Sequence, residues 1–142
     1  MIVDVNVLVY ATYPKSPHHD RAHAWLHNAL NGSTRVGLPW ESLTGFQRVV
    51  TDARMFTSPL TPQKAWSDVT NWLAADNAWI PVPGPRHAEI LGQLIVDGDL
   101  RGKRVPDAHL AAMAIENGVG VCSADTDFAR FPGLHWINPL ID

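Results

Sequence analysis

Only one of the 142 residues is cysteine, Cys122, so an intrachain disulfide is excluded and a reducing, intracellular setting is expected. Cys122 lies in an apolar stretch and is expected to behave as a small buried hydrophobe rather than a catalytic thiol. No apolar run approaches the ~20 residues that a membrane span requires. No basic segment precedes the apolar opening, and Asp4 interrupts it, which argues against a secretion signal and for a cytoplasmic protein. Positive charge is also in deficit. Eleven Lys and Arg face 14 Asp and Glu, a net charge of −3, so attraction to nucleic acid is not built into the whole molecule. A phosphate-bearing partner would have to be recruited by a local basic patch or a bound cation. Neither Gly-x-Gly-x-x-Gly after the first apolar run nor Gly-x-x-x-x-Gly-Lys-Ser/Thr is present, so dinucleotide and P-loop chemistry have no support. His19, His23 and His27 recur at every fourth position, but no Glu follows His19 as in a zinc protease, and the stripe reads as a solvated helix face.

What is present is an alternation of apolar runs and amphipathic segments. At this length one domain, residues 1–142, is expected to bury roughly 70% of its unfolded surface. Residues 1–9 read as a buried strand passing into a short helix, because the apolar run is continuous rather than alternating. From His18 to Leu30 the apolar positions Ala22, Trp25, Leu26, Ala29 and Leu30 fall at helical spacing, and Asn31-Gly32 closes the pattern. Arg35 to Leu38 is a second strand. Pro39 then starts a helix with Leu43, Phe46, Val50 and Ala53 on one face. Thr61-Pro62 opens a further helix, ending near Asp76. Trp79 to Val82 is a third strand, placed at an edge by Pro81. Arg86 to Val96 is helical, Asp97 to Arg104 is a polar loop, and Pro106 to Glu116 is a helix closed by Asn117-Gly118. Val119 to Ser123 and His135 to Asn138 supply the last strands. Such alternation predicts an α/β protein, a three-layer α/β/α sandwich on a central, mainly parallel sheet.

In such a fold ligands bind beyond the carboxyl ends of the strands, and acids recur there. Asp4 lies in the most hydrophobic run, where neither cap nor turn chemistry accounts for it. Glu41 follows Pro39-Trp40, Asp107 follows Val105-Pro106, and Asp125 and Asp127 follow Val119 to Ser123. Each has an ordinary reading as well: Glu41 and Asp107 as first-turn helix acids, Asp125 as the cap of a short helix. Taken together they have no common structural explanation. Carboxylates without interleaved His or Cys suit a hard cation, Mg²⁺ or Mn²⁺, that keeps several waters. Such a centre aligns water for in-line attack on a phosphodiester. Replacing Asp4 is then expected to leave folding intact or improved, by relieving repulsion among the acids.

Two rivals stay open. A Mg²⁺-dependent phosphatase would use Asp4 as nucleophile, but the pair reads Asp4-Val5-Asn6 and lacks the second acid. A non-catalytic RNA- or protein-binding module would use the tryptophans, of which Trp25, Trp66, Trp72 and Trp79 serve equally as core. Arg101-Gly102-Lys103-Arg104 is the one basic cluster near the acids, either a phosphate contact or a solvated loop.

Read together, Ile2-Val3-Asp4-Val5-Asn6-Val7-Leu8-Val9-Tyr10-Ala11, Pro39-Trp40-Glu41, Val105-Pro106-Asp107-Ala108-His109-Leu110-Ala111-Ala112 and Ser123-Ala124-Asp125-Thr126-Asp127-Phe128-Ala129-Arg130-Phe131 resemble the PIN-domain ribonucleases. Within them the match is to the VapC toxins of type II toxin–antitoxin systems. The resemblance implies a Mg²⁺- or Mn²⁺-dependent endoribonuclease in which Asp4, Glu41, Asp107 and Asp125 are catalytic and Asp4, Asp107 and Asp125 hold the metal. It implies supporting roles for Asn6, Ser123 and Asp127, an RNA substrate, a cognate VapB antitoxin and a homodimer. No membrane association is implied.

Overall fold

The computed structural model describes residues 1–141. Among these, five short strands, β1 (Ile2–Val3), β2 (Val36–Gly37), β3 (Ala78–Trp79), β4 (Val121–Cys122) and β5 (Trp136–Ile137), form one sheet in the order β3-β2-β1-β4-β5. Every pairing is parallel. Six α-helices intervene: α1 (Val5–Thr12), α2 (His19–Leu30), α3 (Trp40–Val50), α4 (Pro62–Leu73), α5 (His87–Gly98) and α6 (Arg104–Glu116). A 3₁₀ turn, Thr126–Arg130, follows β4. Among the described residues no helix is long and apolar enough to cross a membrane.

Strand alternation produces the three layers. Val3 and Cys122, paired in register, face one side and join Leu8, Leu43, Phe46 and Val69 in a core built with α1 to α4. Ile2 and Val121 face the other side, among Ala111, Met113 and Phe128 under α5 and α6. A strand buried on both faces has no polar side to show, which is why these runs are continuously apolar. The α/β/α sandwich and the edge position of the third strand match expectation.

Several boundaries differ. The opening apolar run is mostly helix: Asp4 caps α1, and Val5, Val7 and Val9 are helical despite their β-branching. Their burial between the sheet and neighbouring helices outweighs a weak local preference. Helix α3 ends at Val50 rather than Ala53, where the Thr51 hydroxyl donates to the Gln47 carbonyl at 2.7 Å. β3 begins at Ala78 and stops before Pro81. Helix α6 starts two residues before Pro106, which therefore falls within the first turn, where its missing N–H leaves no helix bond unmade.

Candidate functional site

Strand order reverses at β1, with β2 on one side and β4 on the other. The carboxyl ends of β1 and β4 thus flank the switch point where open α/β sheets bind ligands. Asp4 leaves β1 there, and Ser123 leaves β4. A hydrogen-bonded cluster joins them across 119 residues of sequence: the Ser123 hydroxyl donates to Asp4 Oδ2 at 2.7 Å. Asn6 Nδ2 donates to the same oxygen at 3.3 Å and to Ser123 Oγ at 3.2 Å. Asn6 Oδ1 accepts from the Ala124 N–H at 3.1 Å, and Asp4 Oδ1 accepts from the Val5 N–H at 2.8 Å. Asp4 therefore does have a cap role, contrary to the sequence reading, and its replacement by Ala would strip a helix cap as well as a charge. Fully buried Ser123 also accepts from the Asp125 N–H at 3.0 Å. Asp125 in turn caps the 3₁₀ turn by accepting from the Asp127 N–H at 2.9 Å. Asn6, Ser123 and Asp127 thus belong to one hydrogen-bonded group with Asp4 and Asp125.

Asp107 completes this group electrostatically. Burial first, then the charges of Asp4, Asp125 and Asp127, push its carboxyl up to about 6, with Lys103 opposing. Burial also raises Asp4, against the hydrogen bonds from Ser123 and Val5, while Asp125 adds repulsion. Four carboxylates therefore share one electrostatic environment with little cationic compensation. All are oxygen donors, the chemistry a hard divalent cation satisfies. Among the described residues no three His, Cys, Asp or Glu side chains enclose a metal position as they stand.

Glu41 stands differently. It lies in the first turn of α3, 47% exposed, and accepts from His109 Nε2 at 2.6 Å. His109 Nδ1 lies 2.9 Å from His87 Nε2 at the start of α5. Neither histidine was singled out from sequence, although His109 belongs to the motif around Asp107, two residues on. Ser42 was also missed: fully buried beside Glu41, its hydroxyl donates to the Val3 carbonyl at 2.6 Å and ties α3 to the end of β1.

Asp107 and Asp127 line a groove of about 600 Å³ together with Arg86, Arg104 and Arg130. The basic cluster divides around it. Arg101 pairs with Asp99 at 3.1 Å, Lys103 acts on Asp107, and Arg104 alone of the three lines the groove. A larger cavity, about 940 Å³, lies between α2 and α4 and is lined by the histidine stripe but by none of Asp4, Glu41, Asp107, Asp125 and Asp127. His19 Nδ1 is engaged by the Tyr10 carbonyl at 2.9 Å, and His23 and His27 stack on the solvated face.

A PIN domain family model matches residues 1–134. The chain is 46% identical over 140 residues to Ribonuclease VapC43 of Mycobacterium tuberculosis, covering 99% of this chain and 95% of that one. To Ribonuclease VapC37 of the same organism it is 42% identical over 138 residues, covering 97% and 96%. The solved structure of VapBC2 from Rickettsia felis bound to a promoter DNA fragment aligns with a TM-score of 0.70 at 18% identity, over 96% of each chain.

Proposed function

The chain belongs to the PIN-domain family and, within it, to the VapC ribonucleases, and from that premise we propose that it is a Mg²⁺-dependent endoribonuclease, the toxic partner of a VapB-type antitoxin. Mn²⁺ is the expected substitute, and the working form is a cytoplasmic homodimer. The observation that carries the catalytic reading is the gathering of acids at the carboxyl ends of β1 and β4, where Ser123 ties Asp4 to the Asp125 backbone and where burial and the charges of Asp4, Asp125 and Asp127 push the Asp107 carboxyl up to about 6. Such mutual repulsion is maintained at a functional site because a bound species relieves it.

Asp4, Asp107 and Asp125 are assigned as the ligands. A cation held by them would polarise a phosphoryl oxygen and make water a stronger nucleophile at neutral pH. Ser123, Asn6 and the Val5 N–H hold both oxygens of Asp4 in fixed directions, so little reorganisation is left for the moment of reaction. Glu41 is open to solvent and is assigned the task of accepting a proton from, or orienting, the attacking water. Arg86, Arg104 and Arg130 meet the phosphates that flank the scissile bond, so that a chain of net charge −3 can hold a polyanion locally.

The phosphatase reading is disfavoured because both oxygens of Asp4 already accept hydrogen bonds from Val5, Asn6 and Ser123, which lowers nucleophilicity. Cleavage of RNA by the purified chain, titrated with Mg²⁺ in wild type, Asp4→Asn and Glu41→Gln, is the direct test. Both variants are expected to lose on the order of a hundredfold or more in rate; unchanged cleavage in either removes the assignment of that residue. Growth arrest on expression that survives combined Glu41→Ala and Asp107→Ala would instead favour a binding module.

A further inference from the structure

Glu41 stands apart from the Ser123–Asn6 cluster that fixes Asp4. Its backbone lies on α3, its side chain is 47% exposed, and its partner is His109 Nε2 on α6 at 2.6 Å. A free glutamate in the exposed first turn of a helix samples several rotamers. Here a second ring stands behind the first: His87, the first residue of α5, places Nε2 2.9 Å from His109 Nδ1, with the rings 4.8 Å apart and nearly perpendicular. Three helices, α3 and the consecutive pair α5 and α6, therefore meet in one line, Glu41–His109–His87.

Hydrogen-bond accounting assigns the protons. An ionised carboxylate only accepts, so His109 Nε2 carries the hydrogen that Glu41 receives. A single proton occupies the contact between the two rings. If His109 held it, His87 would be left with its own N–H on Nδ1, an atom that is buried without a partner. If His87 donates it from Nε2, His87 Nδ1 is left as a bare lone pair, and buried orphan acceptors are tolerated better than buried orphan donors. Burial, with the adjacent His109, also lowers the His87 pKa and favours a neutral ring.

What holds His87 in place is visible too. Glu116, seven residues beyond His109 on α6, accepts from the Gly84 and Arg86 N–H groups at 2.9 and 2.8 Å. It pins the turn that delivers the start of α5 over His109.

We propose that His109, backed by His87, is a positioning residue that holds the Glu41 carboxylate in its working orientation through an Nε2–H tautomer. The proposal rests on the ribonuclease reading for its consequence but not for its geometry, and the two are tested separately. On the wild-type protein, ¹⁵N–¹H NMR of the imidazoles is expected to show His109 protonated at Nε2 and bare at Nδ1; a proton on Nδ1 overturns the relay. In RNA cleavage with Mg²⁺, His109→Phe is expected to lower kcat about ten- to a hundredfold while KM changes less than about twofold. His109→Gln, which keeps an amide N–H within reach of Glu41, recovers most of that loss. His87→Ala lowers kcat several-fold with the same pattern. Wild-type kcat in His109→Phe, or a loss in His109→Gln equal to that in His109→Phe, overturns the positioning role. A wild type that cleaves no RNA with either Mg²⁺ or Mn²⁺ refutes the ribonuclease reading instead, and the NMR result then decides the relay on its own.

Discussion

Replacing Asp107 by Asn should stabilise the metal-free protein. The carboxyl ordinarily ionises near 3.8, and in the fold it is pushed up to about 6 by burial and by Asp4, Asp125 and Asp127. The folded state therefore binds the proton more tightly than the unfolded chain, so stability falls as pH rises from about 4 to about 6 and stays reduced above. At full strength that difference is worth about 3 kcal/mol. Asp107 is only half-buried, and solvent screening reduces it to about 1–2 kcal/mol. Asn also gives up the attraction between a first-turn carboxylate and the helix dipole, about 0.5 kcal/mol, leaving a net gain of about 1 kcal/mol. For a chain of this length the unfolding entropy is about 0.3 kcal/mol/K, so the Tm of Asp107→Asn should exceed wild type by about 3 °C at pH 8 in EDTA. Near pH 4, where the wild-type carboxyl is itself protonated, the advantage should vanish. Adding Mg²⁺ should reverse the order, because a ligand at a hundred times its Kd stabilises the wild type by about 2.7 kcal/mol. Thermal melts at pH 4 and 8, with EDTA and with Mg²⁺, test each step. An Asn variant less stable than wild type at pH 8 in EDTA, or an advantage equal at both pH values, would refute the electrostatic account.

Two other outcomes follow from particular residues. Arg104→Ala and Arg130→Ala should each flatten the plot of log kcat/KM for RNA cleavage against log salt by about 0.7, the change in slope that accompanies removal of one cation from a single-strand phosphate; an unchanged slope would place that arginine outside the substrate path. Gly45→Ala should lower Tm by several degrees, since a Cβ there would stand 2.7 Å from Val5 Cγ2 where α3 crosses α1, and overpacking of about 1–3 kcal/mol exceeds the gain in helix propensity of about 1 kcal/mol.

Much of the architecture was legible because it is written in local pattern. The continuous apolar runs at Ile2–Val3 and Val121–Cys122 marked strands buried on both faces, whereas Pro81, read as lying inside an edge strand, falls beyond the end of β3. Thr61-Pro62 and Asn117-Gly118 marked where helices start and stop. Asp4, Asp107 and Asp125 were conspicuous because carboxylates beside buried strands demand an explanation. The opening run passes from strand to helix as its pattern suggests, but the boundary was not legible: Asp4 caps α1 and leaves Val5, Val7 and Val9, β-branched as they are, in a helix packed against α2 and α3.

By itself, then, the sequence determined the class of fold and marked acids beside its strands and at its helix starts, since each depends on periodicity and residue chemistry within a short window. Only the tertiary structure decided that β4 lies beside β1, so that Ser123 and Asn6 fix Asp4, and that α3, α5 and α6 converge in the line Glu41–His109–His87. The bonds that close these arrangements join residues 22 to 119 positions apart. No window of sequence contains both partners, and packing of the two cores against the sheet is what brings them together.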